Sequence, residues 1–214
     1  MPAGVYKLRA ALELEAAMEA RIRDWLAGEL ATPNRALGRP GALCPFVRPC
    51  LRAGALKFRA IATPASPPLD LLLNAAIEAV LDFDGLDWAG APARLHCLIE
   101  VFPDLDLEAA RLLDEVHRKL KDDVVARGLM FAQFHPHGRE PSARNPELNV
   151  GRGPVPVLVF SATCRPRHSV PRASRMLVRG IPSVVWPPLL EPVQLRSRAR
   201  RCLSAGIHAL PLRA

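Results

Sequence analysis

The sequence predicts an α/β or α+β fold, with a central sheet of about four strands, three helices packed on it and an irregular C-terminal tail. Stretches with apolar residues at helical spacing alternate along the chain with short stretches typical of strands. Clusters of proline and glycine separate these stretches. After Phe160 the apolar periodicity ends and a single acidic residue, Glu191, remains. We therefore expect one domain over residues 1–160 and a tail over residues 161–214.

The helices are predicted from apolar stripes and from residues typical of helix ends. Residues 5–30 carry a broken stripe and form the first helix. Residues 69–81 follow a proline-rich stretch, which favours a first helical turn. A third helix runs to residue 126, and its predicted core face is Ala109, Leu113, Val116, Leu120 and Val124. Asp104 or Asp106 is expected to cap it, and Gly128 to end it.

Four short stretches read as strands, each bounded by a turn-forming residue. They are residues 56–63, 94–102, 129–135 and 155–160. A polar loop over residues 136–153 separates the last two. The order of elements is typical of a sheet covered by helices, and no repeat of fixed period is visible.

Composition indicates a soluble, cytoplasmic protein. The chain has 214 residues, half of them apolar, which is enough for a core. It has no apolar run of membrane-spanning length, and charged residues stand near its start where a signal peptide needs apolar ones. The cysteines are odd in number and lack CxxC spacing, so they predict neither a disulfide framework nor a zinc site: Cys44, Cys50, Cys97, Cys164 and Cys202.

The net charge of +8 does not predict nucleic-acid binding, because the excess lies in the tail. Residues 161–214 hold ten arginines and one acid, Glu191, whereas residues 1–160 hold 19 basic and 20 acidic side chains. The tail is either a disordered basic segment or the product of a shifted reading frame in a GC-rich gene. Reading Ser169–Ser183 one base later with permitted codons allows an amphipathic peptide that contains FL and AYL.

The stretch from Gly128 to His137 is the first place to look for a site. It reads as a buried strand that runs into a polar loop, where a rigid sheet can present a side chain to a ligand. His135 stands at the strand end and suits an iron or haem ligand, or else caps the strand by bonding backbone. His137 follows two residues later. Arg144 has the planar guanidinium that pairs with carboxylates, and we expect it to face the same pocket as His135.

Several motifs together resemble an uncharacterised bacterial and fungal family of unknown function. These motifs are Leu37-Gly38-Arg39-Pro40-Gly41, Cys44-Pro45-Phe46, Gly128 to Pro136, Arg144-Asn145-Pro146 and Pro154-Val155-Pro156. The family carries LGRxGxVCPF, GLMxGQFHP, RNPxF and SPVPxLAIR in the same order, and the resemblance covers about residues 20–160. The chain departs from it at Glu147-Leu148-Asn149 and after Phe160, where an LAIR-type continuation is expected. The second departure favours the shifted frame and an inactive copy.

The order of motifs is also similar, more distantly, to the YqcI/YcgG family, which includes haem-dependent enzymes that oxygenate nitrogen. That resemblance implies a haem cofactor and a small amino-acid-like substrate, in a secondary-metabolic pathway. The expected cofactor-binding residues are His135, Cys44 and Arg39, with His135 as the metal ligand. The expected catalytic residues are Arg144 and Gln133.

Each of these residues also has a structural interpretation. Cys44 is then simply buried, Arg39 is solvated, Gln133 is a buried polar group and Asn145 shapes a turn. His96 and His117 are most simply structural. Two functions therefore stay open: a haem-dependent oxygenase, and a non-catalytic module that binds a small molecule. No membrane or nucleic-acid partner is expected.

Overall fold

The computed structural model describes residues 16–162, which contain one mixed four-stranded sheet. The sheet order is β1-β2-β4-β3, and β4 is antiparallel to both of its neighbours, whereas β1 and β2 are parallel. The strands are β1 (Leu56–Ala60), β2 (Cys97–Val101), β3 (Leu129–Phe134) and β4 (Val157–Ala162). The predicted α/β fold with four strands is confirmed.

Within residues 16–162, three long helices and one short helix pack around the sheet. Helix α1 covers residues 16–25 of the described chain and continues as a π-helical turn over Leu26–Leu30. The others are α2 (Val47–Arg52), α3 (Leu69–Asp82) and α4 (Leu112–Ala126). Helix α2 was not predicted, because six residues carry too little periodicity. Residues 5–15 of the predicted first helix and residues 163–214 of the predicted tail lie outside the described residues.

The core face and the C-terminal end of the predicted third helix are confirmed, whereas its start is later than predicted, since α4 begins at Leu112. The carboxylate of Asp106 accepts the backbone N–H of Ala109 at 2.7 Å, where a short 3-10 turn leads into α4. Gly128 follows the helix with φ 79°, a conformation that favours glycine. All five residues of the predicted core face are buried.

The strands are shorter or shifted relative to the prediction because pairing decides where they end. The first ends at Ala60, since the five residues of β1 pair with the five of β2. Residues Ala93–Leu95 form a 3-10 turn, so the second begins at Cys97. The third ends at Phe134, and the fourth runs from Val157 to Ala162.

Helices cover both faces of the sheet. Cys97, Ile99 and Val101 of β2 pack with α1 and α2 in one apolar cluster. The alternate residues point to the other face, where Glu100 contacts Arg59, and Arg59 in turn contacts Asp82 of α3. Every residue of β2 is buried, as expected for a strand covered on both sides.

Candidate functional site

A cavity of about 340 Å³ lies between the sheet and the layer formed by α1 and α2. Its floor comes from all four strands. Leu56, Cys97, Ser161 and Met130 are neighbours in register and form one row across the sheet. Because adjacent strands lie about 4.8 Å apart, this row spans roughly 14 Å. The floor therefore crosses the whole width of the sheet.

The roof of the cavity is built by the end of α1, the start of α2 and the segment between them. The side chains that line it are Leu26, Leu30, Leu43, Cys44, Phe46, Val47 and Cys50. The N–H of Cys44 donates to the carbonyl of Leu30 at 2.8 Å, which holds the segment against the π-helical turn. Trp25 and Phe134 pack edge to face at 4.9 Å between ring centroids, so α1 is fixed above β3.

Three cysteines line the cavity, and two of them are buried. Burial raises the pKa of Cys50 to about 11 and raises that of Cys97 still further. The thiol of Cys50 donates to the carbonyl of Leu95 at 3.2 Å. Both groups are therefore neutral thiols at pH 7, unsuited to act as nucleophiles. Cys44, a predicted site residue, is half-buried in the cavity wall.

The cavity reaches the outer edge of β3, where polar side chains line it. His117 and Lys121 come from α4, and Glu140 comes from the loop after β3. The His117 Nε2 lies 3.2 Å from the carbonyl oxygen of Phe131. Burial lowers the pKa of His117, and the charge of Lys121 acts in the same direction. This end of the cavity, formed by His117, Lys121 and Glu140, is called the polar rim below.

The predicted site residues Gln133 and His135 share one carboxylate on α4. The Nε2 of His135 lies 3.0 Å from an oxygen of Asp114, and the Gln133 amide donates to the same oxygen at 3.3 Å. Gln133 also lines the cavity, whereas His135 does not. The His135 ring is fully buried, and its Nδ1 has no hydrogen-bond partner among residues 16–162. His135 thus bonds a carboxylate rather than capping its strand through backbone.

Arg39 and Arg144 lie in loops and do not line the cavity. The Arg39 guanidinium donates to the carbonyls of Pro40 and Leu43, so it holds its own loop together. Arg144 is exposed, and its neighbour Asn145 donates to the carbonyl of Ala36 at 2.7 Å. The cavity is therefore not the pocket that the sequence predicted between His135 and Arg144.

The loop after β3 is held by one side chain and one close backbone approach. The Asn149 oxygen accepts the N–H groups of Glu140 and Gly151, and its amide donates to the carbonyl of Gly138. A Cβ on Gly138 would lie only 2.0 Å from the carbonyl oxygen of Gly151. Because Glu140, Val150 and Gly151 line the cavity, the geometry of this loop shapes its outer end.

Sequence reasoning missed the α4 side chains of the site. Asp114, His117 and Lys121 follow each other at three- and four-residue spacing on one face of α4. That polar stripe, beside the core stripe of the same helix, was the available signal. The residues looked structural because nothing in the sequence says that this helix face lies beside the edge of β3.

Two kinds of feature are absent from the described residues. Within residues 16–162, no group of three or more histidine, cysteine, aspartate or glutamate side chains is placed to hold a metal ion. No helix in the same residues is long and apolar enough to cross a membrane.

The described chain is thus an α/β domain whose sheet and one helical layer enclose an apolar cavity with a polar rim. Residues 19–165 match the model of a domain of unknown function, DUF6875, and the chain belongs to this family. No curated protein and no solved structure matches the chain. The resemblance to a family of unknown function is confirmed, whereas the more distant one to haem-dependent oxygenases is not supported by this match.

Proposed function

We propose that the domain binds an apolar small molecule in the cavity between its sheet and the α1/α2 layer. The observation that carries the proposal is a cavity of about 340 Å³ walled mainly by apolar side chains, a size within the range of ligand sites. Residues from two of the sequence motifs, Cys44-Pro45-Phe46 and Gly128 to Pro136, line this cavity. Cys44 and Phe46 lie in the roof, and Met130, Ala132 and Phe134 lie in the floor.

The energetics favour an apolar ligand. Transfer of apolar surface from water contributes about 25 cal/mol per Å², which must exceed the loss of translational and rotational freedom on binding. The neutral thiols of Cys50 and Cys97 add no charge that the ligand would have to match. Affinity therefore depends on how fully the ligand fills the space.

The test is titration with an apolar fluorescent probe such as N-phenyl-naphthylamine. We expect saturable binding and a higher melting temperature, since a ligand at about 100 times its Kd stabilises by about 2.7 kcal/mol. Ala132→Phe places a ring in the cavity and is expected to weaken binding about tenfold or more. Ala126→Phe, at an exposed position of α4, is the matched control. Equal affinity in all three proteins contradicts the proposal.

A haem-dependent oxygenase is the second candidate, and one observation favours it. The carboxylate of Asp114 holds Nε2 of His135 while Nδ1 has no partner, which resembles the way metal-bound histidines are oriented. The geometry supports this candidate less, because the His135 ring is fully buried and Arg144 is exposed outside the cavity. Haem titration distinguishes the two: a Soret band that His135→Ala abolishes supports the oxygenase, and a folded protein without a band contradicts it.

A further inference from the structure

A hydrogen bond to the backbone determines which ring nitrogen of His117, in the polar rim, carries the hydrogen. The other nitrogen is a hydrogen-bond acceptor. His117 lies with Nε2 at 3.2 Å from the carbonyl oxygen of Phe131. A carbonyl only accepts hydrogen bonds, so Nε2 carries the hydrogen and Nδ1 of the neutral ring carries the lone pair. Among residues 16–162, the His117 ring bonds the Phe131 carbonyl alone, and this bond uses Nε2 rather than Nδ1. The rim thus offers an acceptor to whatever occupies the cavity.

The charged side chains beside His117 limit which kind of polar group a ligand can place against Nδ1. Lys121 lies one helical turn further along α4, and Glu140 lies on the loop that faces it; both act on the pKa of His117, in opposite directions. Within residues 16–162 neither has an ion-pair partner. An anionic head group is attracted by Lys121 but repelled by Glu140, and a cationic one the reverse, so the two opposite charges offset each other. A charged head group must then leave water without a net attraction in return, whereas an uncharged hydrogen-bond donor avoids that cost.

We propose that the ligand is an apolar molecule carrying a hydroxyl group, such as a phenol, which donates to Nδ1 of His117 while the apolar body occupies the cavity. This inference rests on the proposed function. It makes His117 a ligand-binding residue, although its place on a charged helix indicated a structural role. The apolar walls supply affinity, and His117 selects hydroxylated molecules over their ethers.

The experiment compares para-butylphenol with its methyl ether, para-butylanisole, in displacing the apolar fluorescent probe from the full chain. The ether cannot donate to Nδ1, so we expect it to bind about tenfold more weakly than the phenol. The corresponding para-butylbenzoate and para-butylbenzylammonium are also expected to bind more weakly than the phenol. Lys121→Met should weaken binding of the benzoate, because it removes a positive charge that attracts the carboxylate. Glu140→Gln should weaken binding of the benzylammonium, because it removes a negative charge that attracts the ammonium group.

Two variants assign the preference to His117. His117→Leu removes the acceptor, and the affinity ratio of phenol to ether should fall to about one. His117→Gln can donate to the Phe131 carbonyl and still accept from the ligand, so part of the ratio should return. The matched control is His96→Leu. His96 also bonds a backbone carbonyl, that of Ala91 at 2.8 Å, but it lies outside the cavity and its loss should leave the ratio unchanged.

A measurement on the unaltered protein keeps the inference testable if the leucine variant unfolds. Protonation of His117 turns Nδ1 into a donor, so the ratio should fall as the pH is lowered. Because burial lowers the pKa of His117, the fall is expected below the ordinary histidine pKa of about 6.5. The other charged groups near this ring are Lys121, Glu140 and Asp114. A ratio of one in the unaltered protein at pH 8, or a ratio independent of pH, overturns the hydroxyl inference while apolar binding stands. Failure of every compound and of the probe overturns the proposed function itself.

Discussion

Glu100 is a buried acid in the sheet, and two features of its surroundings act on its pKa in opposite directions. Its side chain is fully buried in β2, where one carboxylate oxygen accepts from Arg59 at 2.6 and 2.9 Å. The other oxygen has no hydrogen-bond partner among residues 16–162. Burial raises the pKa of Glu100 to about 7, with smaller contributions from Glu78 and Asp82, and Arg59 offsets only part of this. Loss of solvation thus outweighs the ion pair.

Glu100→Gln tests this balance through the pH dependence of stability. A carboxyl whose pKa is higher in the folded state loses stability as the pH rises from about 4.5 through about 7, here by roughly 3 kcal/mol. The glutamine variant still accepts from Arg59 but does not ionise, so that decrease should vanish. Urea unfolding at pH 5 and pH 8 measures it.

Glu108→Gln, at an exposed position, is the control for this prediction. It should keep the decrease of the unaltered protein. An equal decrease in Glu100→Gln would mean that other groups cause the pH dependence.

At the scale of elements, the cavity depends on the packing of β3, α4 and the loop that returns to β4. Strand β3 is at the edge of the sheet, and His117 of α4 forms a hydrogen bond with the carbonyl of Phe131 in that strand. The loop closes through the N–H groups of Gly138 and Gly153, which both donate to the carbonyl of His135. Strand end, helix face and loop are thereby fixed relative to each other.

Gly138→Ala is expected to disrupt this arrangement. The added Cβ would meet backbone atoms of Gly151 at 2.0 and 2.6 Å, and backbone cannot move aside as a side chain can. We expect a loss of about 2 kcal/mol or more in the free energy of unfolding, measured in urea, with weaker probe binding.

Gly85→Ala is the control, because nothing lies within 4 Å of a Cβ at that exposed position. Its stability should change by no more than about 1 kcal/mol. Equal stability of the two variants would show that the loop relaxes around the extra carbon atom.

At the scale of the whole molecule, the family match and the change in composition fall close together. The match ends at residue 165, and the arginine-rich, acid-poor stretch begins after Phe160. The four strands β1 to β4 and the residues that line the cavity lie within the matched residues. The family model therefore covers the part of the chain in which the candidate site is described.

The shifted-frame hypothesis predicts a definite result when the gene and its downstream bases are sequenced. One base later, the frame should continue as an amphipathic, acid-containing segment beyond the FL and AYL elements. A frame interrupted by early stop codons would contradict the hypothesis. Residues 161–214 would then be explained by the alternative, a basic tail of the protein.

Sequence patterns determined the helix periodicity, residues at the helix ends and the existence of four strands, although not where those strands end. Ala109, Leu113, Val116, Leu120 and Val124 were predicted to be buried because burial along a helix follows a local spacing. A capping residue at Asp104 or Asp106 and a stop at Gly128 were predictable because helix ends need particular local residues, and the structure selects Asp106 for the turn that leads into α4. Family membership was also predictable, since several short motifs occur in a fixed order.

Only the tertiary structure decided which of these residues share a site. Strand β4 inserts between β2 and β3, and this sheet order places Cys97, Ser161 and Met130 in one row although they are far apart in sequence. The same packing buries His135 against Asp114 and leaves His117 at the cavity. Strand pairing and helix docking depend on contacts summed over the whole core, so no local pattern could have distinguished these two histidines.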